Sequence, residues 1–153
     1  MGENIIASDQ LYSKRDVESL ELLFGMVIPA SDDGRFPVGS DPIIFQDFLA
    51  ASERFHKLVL RALELLHELS GIDYRELTTE ARDEVTRNFY ANRSAPVSTL
   101  LSLMAHCYYR DDRVLQAIGQ EPRAPHPKGY VVEQGDWGLL EPVKQRGKIY
   151  RDV

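Results

Sequence analysis

A long apolar segment between residues 41 and 71 constrains the fold of this chain more than any other part of its sequence. Asp41 followed by Pro42 is a strong helix start, because the aspartate can accept hydrogen bonds from free backbone N–H groups and proline loses nothing at the first helical position. No residue that breaks helices follows until Gly71. The sequence therefore predicts one unbroken helix over this segment.

The apolar arc of that helix is wider than the arc of a surface helix. At about 100° per residue, Phe55 and Leu66 point in nearly the same direction as Phe48, and leucines such as Leu58 and Leu60 widen the arc on both sides. A helix that packs on one side only carries an apolar stripe of roughly 100°. We therefore predict that this helix contacts neighbours on several sides and forms the centre of a bundle.

Shorter helices are predicted on both sides of the central one. Capping residues and apolar spacing place them from about Lys14 to Val27, from Thr78 to Asn92, from Ser94 past Tyr108, and from Asp111 or Asp112 to Gly119, with a helical turn or two between Trp137 and Arg146. The predicted fold class is all-α. It is a single-domain helical bundle around one long central helix, with an extended C-terminal segment rich in proline and aromatic residues.

The segments outside the helices are predicted from their turn-forming and helix-breaking residues. Residues 31–40 are dense in Ser, Asp, Gly and Pro, and the sequence leaves open whether this loop is ordered or flexible. Three prolines between Glu121 and Gly129 prevent a helix there, so residues 121–153 are predicted to wrap over the bundle in extended form. Residues 1–12 are predicted to be flexible, and residues 1–153 to form one domain.

Charge and composition exclude several function classes. The chain has 153 residues, 18 basic against 24 acidic side chains, and no long basic run, so nucleic acid is not an expected partner. No apolar run approaches the roughly 20 residues of a membrane helix, which argues against direct membrane insertion. Residues 1–14 carry no export signal. The predicted location is cytoplasmic as written, or periplasmic if the chain is exported with a partner or a signal was removed.

Two Glu-x-x-His pairs, Glu53 with His56 and Glu64 with His67, are of the type found in carboxylate-bridged metal sites of helical bundles. Such sites need the pairs on facing helices. These pairs lie on one predicted helix, eleven residues or roughly 16 Å apart, and at the edge of its polar arc. We therefore interpret them as solvated surface positions and predict no metal ligands.

The fourth helix holds the residues that are most similar to a nucleophilic site. Cys107 follows His106, but adjacent helical residues point about 100° apart, so a buried inert thiol is predicted. Ser102 and His106 have the spacing of a hydrogen-bonded pair, yet no third residue can be assigned to orient the histidine. The sequence also lacks a glycine-rich phosphate loop. No catalytic residue is predicted.

Aromatic residues, prolines and arginines are concentrated in the C-terminal third, and such residues are enriched at protein contact surfaces. The alternative is that these aromatic residues complete the core of their own chain, and the two interpretations are compatible. With one proline from the first loop added, the candidate partner-binding residues are Pro29, Tyr108, Tyr109, Arg110, Gly129, Tyr130, Trp137 and Arg151.

The order of several short segments resembles the gluconate 2-dehydrogenase subunit 3 family, the small subunits of FAD-dependent sugar dehydrogenases. The segments are Val27-Ile28-Pro29-Ala30 with Pro37-Val38-Gly39, Leu77-Thr78-Thr79-Glu80-Ala81-Arg82, Tyr108-Tyr109 with Asp111, Val114 and Ile118-Gly119, Pro127-Lys128-Gly129-Tyr130, and Tyr150-Arg151. They are spread over most of the chain. Members of the family generally carry a twin-arginine signal, and this sequence shows none.

The resemblance implies a non-catalytic, all-helical subunit that binds a larger FAD-dependent dehydrogenase and helps it to mature or to be exported. It implies FAD in the partner and no cofactor bound by this chain. The alternative from a different class is a stand-alone small helical enzyme or ligand-binding homo-oligomer, with a pocket under the C-terminal segment that gathers His106, Tyr109 or Tyr130 with a carboxylate. A homodimer with a purely structural role is the third hypothesis.

Overall fold

The computed structural model describes residues 11–124, 126, 128–129 and 131–149. Capping residues set the start of most of its helices. At the first helix, the Ser13 hydroxyl oxygen accepts from the Asp16 backbone N–H, and the Asp16 carboxylate accepts from the Ser13 backbone N–H. The α-helices are α1 (Lys14–Val27), α2 (Pro42–Ser52), α3 (His56–Ser70), α4 (Thr79–Ala91), α5 (Ala95–Arg110), α6 (Asp112–Ala117) and α7 (Glu141–Gln145). The described residues contain no β-strand, which confirms the all-α class.

The predicted unbroken helix from 41 to 71 is divided into α2 and α3 by a 3-10 turn at Glu53–Phe55. Ser52 lies at the division, is fully buried, and donates its hydroxyl to the Leu49 carbonyl at 2.7 Å. The Tyr12 hydroxyl in turn donates to Ser52 Oγ at 3.0 Å. Side-chain hydrogen bonds of this kind compete with the backbone hydrogen bonds of a helix and bend it, which explains why the predicted single helix is divided here.

The two parts of the divided helix share one neighbour. Helices α2 and α3 both pack against α5, and α3 also packs against α4 and α1. Helix α5 has the sequence pattern for these contacts, since Val97, Leu100 and Met104 are fully buried at helical spacing. The bundle therefore has α5 against two shorter helices, where the sequence predicted one long helix.

The core contains Phe48 and Leu66 from the predicted apolar arc, whereas Phe55 and Leu58 of the same arc are each 36% exposed. Leu66 is fully buried and Glu64 is exposed, as expected for the core and solvated sides of the same helix. The Phe24 and Phe48 rings meet edge to face with centroids 5.3 Å apart. Among the described residues, the buried apolar core has members only between Tyr12 and Val114.

The ends of the chain require one correction. Tyr12 falls in the segment predicted to be flexible, but it is 3% exposed and bonded to Ser52, whereas residues 1–10 lie outside the described residues.

The chain divides into two units, Met1–Pro122 and Arg123–Val153. The second unit contains the predicted helical turns, a 3-10 turn at Trp137–Leu140 followed by α7. The C-terminal wrap stays a prediction.

Candidate partner-contact surface

The loop between α1 and α2 is ordered by hydrogen bonds along its length, which answers the question that the sequence left open. Gly39 donates its N–H to the Ile28 carbonyl at 2.8 Å, and the Phe36 N–H donates to Ser31 Oγ at 2.9 Å. Gly39 is needed at this position because a Cβ there would lie 2.4 Å from the ring of Phe24. The loop is therefore closed tightly against α1, and Pro29 is exposed on it.

The end of α5 contacts this loop through Tyr108. The Tyr108 hydroxyl donates to the Pro37 carbonyl at 2.9 Å, across 71 residues of sequence. Its ring is only 4% exposed, and burial raises the pKa of the phenol. Tyr108 is therefore part of the packed interior. The adjacent Tyr109 is 55% exposed, and its ring meets the ring of Tyr108 edge to face with centroids 5.4 Å apart.

Arginines from α5 and α6 pair with aspartates of the preceding segments. The Arg110 guanidinium binds the Asp47 carboxylate of α2, with Nε and Oδ2 2.9 Å apart. Arg113 bridges Asp41 at 2.8 Å and Asp111 at 3.0 Å, which are the N-cap residues of α2 and α6. These bonds lower the pKa of both carboxyl groups. The pairs hold the loop, α2, α5 and α6 together at one end of the bundle.

A cavity of 260 Å³ opens between α2 and the end of α5. Cys107 lines it and is 3% exposed, and burial raises the pKa of its thiol to about 11, so the thiol stays protonated and is a poor nucleophile at neutral pH. This agrees with the predicted inert cysteine. The lining residues are Ile43, Ile44, Asp47, Cys107, Arg110 and Asp111.

We call the surface made by this cavity and the neighbouring loop the bundle-end surface. Its exposed residues include Pro29, Ile43, Tyr109 and Arg110. Three of these were predicted contact residues. Ile43 was missed, although an isoleucine directly after Pro42 in a first helical turn was a visible signal. Of the other predicted contacts, Gly129 and Trp137 belong to the second unit, and Tyr130 and Arg151 lie outside the described residues.

A cavity of 550 Å³ lies beside α1 and is lined in part by Glu18, Arg75 and Arg82. Arg75 is bound to both Glu18 and Asp73, and Arg82 donates to the backbone carbonyls of Leu77 at 2.8 Å and Arg75 at 3.1 Å. Both guanidinium groups are thus occupied by protein acceptors. The bonds from Arg82 fasten the preceding 3-10 turn, Tyr74–Glu76, to the start of α4.

The serines and the histidine of α5 line a separate groove of 330 Å³. The lining residues are Phe55, Ser98, Thr99, Ser102, Leu103 and His106. Among the described residues, this groove contains His106 without Tyr109 or a carboxylate, and Tyr130 of the enzyme hypothesis lies outside the described residues, so that hypothesis stays a prediction.

The two Glu-x-x-His pairs have different surroundings. His56 Nδ1 lies 3.2 Å from the Glu53 carbonyl oxygen within the 3-10 turn. The interpretation as a solvated position is wrong for His67, because both of its ring nitrogens are buried and have no hydrogen-bond partner among the described residues. Burial lowers the pKa of its imidazole. In the described ranges, no group of three His, Cys, Asp or Glu side chains could hold a metal ion, and no helix could span a membrane.

Comparison of the sequence with protein families and with curated proteins, and of the chain with solved structures, found no match in any of the three. The bundle-end surface therefore has to be interpreted from its own residues.

Proposed function

We propose that this chain is a non-catalytic accessory subunit that binds a larger FAD-dependent dehydrogenase and assists its maturation or export. The proposal takes its partner and its FAD from the resemblance to the gluconate 2-dehydrogenase subunit 3 family. The complex lies in the cytoplasm, or in the periplasm if the chain is exported together with its partner.

The contact between Tyr108 and Pro37 is the observation that carries the proposal. These two residues belong to two segments that carry the resemblance, and 71 residues separate them in the chain. The Tyr108 hydroxyl joins them, and the ordered loop then lies beside the exposed Tyr109 and Arg110.

The chemistry of the bundle-end surface fits protein recognition. Tyr109 offers a large, rigid and half-exposed ring, and tyrosine and arginine are the residue types that dominate binding energy at interfaces. Arg110 is held in place by Asp47, so less side-chain entropy is lost when a partner covers it. A surface built from preorganised side chains on rigid helices is suited to a stable complex.

The test is to tag the full chain in its native cells, isolate it gently and measure flavin absorbance and the stoichiometry of any larger protein. Wild-type chain is expected to retain one larger flavoprotein per chain. Tyr109→Ala is expected to lose most of it, whereas the control Tyr90→Ala, on α4 and 54% exposed, is expected to retain it. A wild-type chain that is isolated alone and colourless contradicts the proposal.

A further inference from the structure

The cavity of 550 Å³ beside α1 has the size of a small-molecule site and is lined by other residues than the cavity of the bundle-end surface. Ligand pockets in proteins measure about 300–1,000 Å³ and are mostly apolar, with a few polar groups that orient the ligand. Three apolar residues of α1 line this cavity: Leu22, Gly25 and Met26. The flexible side chain of Met26 can adapt to apolar ligands of different shapes.

Gly25 lets the loop between α1 and α2 form a wall of the cavity. A Cβ at this position would lie 3.0 Å from Ser40 Oγ, which is closer than side chains normally pack. Glycine destabilises a helix interior relative to alanine, so α1 is locally weakened here. The absent Cβ leaves room for the Ser40 hydroxyl, which has no hydrogen-bond partner in the part of the chain that the structure describes. Ser40 therefore offers a free polar group to a ligand.

The charged residues of the cavity differ in their pairing. Arg75 binds the carboxylates of Glu18 and Asp73, so its charge is compensated within the protein. Glu21 on α1 is exposed and, among the described residues, has no partner of opposite charge. Arg82 on α4 likewise has no carboxylate partner in the described ranges, and it does not pair with Glu21 although both line the cavity. The described lining thus offers a ligand one negative and one positive group.

Arg82 is held in a fixed position by neutral groups. Its Nη2 donates to the carbonyls of Leu77 at 2.8 Å and Arg75 at 3.1 Å, and its Nε donates to the Tyr74 carbonyl at 3.4 Å. The guanidinium also lies 5.7 Å from the centroid of the Tyr74 ring. Nη1 donates to none of these carbonyls. A fixed, half-buried guanidinium without a carboxylate is prepared for a ligand's anionic group, and carboxylates bind arginine strongly.

We propose that this cavity binds a short apolar peptide with free ends, its carboxylate on Arg82 and its ammonium on Glu21. Helices α1 and α4, which supply these two residues, pack against each other on the two sides of the site. A free amino acid carries both charges on one carbon. The charges of the cavity come from different helices and do not pair with each other, which favours a ligand whose charges lie farther apart. The site is independent of the flavoprotein partner.

The test is isothermal titration calorimetry of the full chain with the dipeptide leucyl-leucine. The expected Kd is on the order of 0.1 mM, from the binding efficiency of ligands of that size. The N-acetylated and the C-amidated dipeptides are each expected to bind about 10-fold more weakly, because each lacks one charged hydrogen-bonding end. Free leucine is expected to bind more weakly still, since it cannot reach both residues.

A variant of each charged residue assigns the two ends of the peptide. Glu21→Gln is expected to bind leucyl-leucine about 10-fold more weakly and to bind the N-acetylated form as the wild type does. The matched control Glu68→Gln, at an exposed position of α3, is expected to bind like the wild type. Arg82→Lys is expected to lose affinity for the free carboxylate. Since Arg82 also fastens a turn, its Tm is measured, and Glu21→Gln tests the site if that variant unfolds.

Several outcomes overturn the proposal. A wild-type chain without saturable binding of leucyl-leucine refutes it, and so does equal affinity for the free and the blocked dipeptides. Free leucine that binds as tightly as the dipeptide shows an amino-acid site in place of a peptide site. An equal loss of affinity in Glu68→Gln and Glu21→Gln attributes the binding to net charge and not to this cavity. None of these results bears on copurification with a flavoprotein, which tests the proposed function separately.

Discussion

Replacing Gly39 by alanine tests whether the loop between α1 and α2 is held as tightly as the structure shows. An added Cβ would lie 2.4 and 2.7 Å from two ring carbons of Phe24 and 2.8 Å from its backbone oxygen. The ring is fully buried against Phe48, so it cannot turn away without disturbing the core. The backbone oxygen belongs to α1 and cannot move at all without bending the helix.

The expected cost follows from this crowding. Adding a methyl group to a well-packed site costs typically about 1–3 kcal/mol, because neighbouring side chains and backbone must shift. For a chain of this size, each kcal/mol lowers the midpoint of thermal unfolding by about 2–4 °C. Gly39→Ala is thus expected to lower Tm by roughly 2–12 °C.

The assay is thermal unfolding followed by circular dichroism, with urea unfolding as a second measure. Gly135→Ala is the matched control, since no atom lies within 4 Å of the added Cβ and its φ is not positive. The control is expected to unfold like the wild type. A Gly39→Ala protein with the same Tm as the control would show that the loop is not closed against Phe24, and the geometry of the bundle-end surface would then be wrong.

Three further predictions concern the core, the loop contact and pH. Leu66→Ala should cost about 2–5 kcal/mol in urea unfolding, whereas Glu64→Ala should change little; equal effects would contradict the orientation of α3. Tyr108→Phe should cost about 0.5–1.5 kcal/mol, and an unchanged midpoint would mean that its bond to the loop contributes nothing. Burial lowers the pKa of His67 below 6.5, so the unfolded chain binds more protons and stability should fall as pH drops below 6.5. His67→Leu should remove this loss while His106→Gln keeps it, as measured by Tm between pH 7 and 5.

Local signals explain why most of the helix starts were predicted correctly. Ser13 with Asp16, Asp41 with Pro42, and Thr78 each carry within a few residues the side chains that satisfy free N–H groups at a helix start. Apolar spacing likewise predicted that Leu66 is buried. Such signals depend only on neighbours in sequence, and no distant partner is needed to interpret them.

The break after Ser52 could not be predicted in the same way. A serine within an apolar helical pattern is ordinary, and its effect here depends on the hydroxyl of Tyr12, which is 40 residues away in sequence. The same limit applies to the candidate surface. Tyr108 and Tyr109 look alike in sequence, yet only the packing of α5 against the loop decides that one is buried and the other is exposed.

The sequence by itself determined the helical class, most of the helix starts and the chemical character of the candidate contact residues, because caps and apolar periodicity act over a few residues. Only the tertiary structure decided that α5 packs on two shorter helices, that Arg113 joins two helix starts, and that Ile43 stands at the rim of a cavity. Those arrangements depend on contacts between residues that are far apart along the chain, and a local pattern contains no information about which distant side chain completes them.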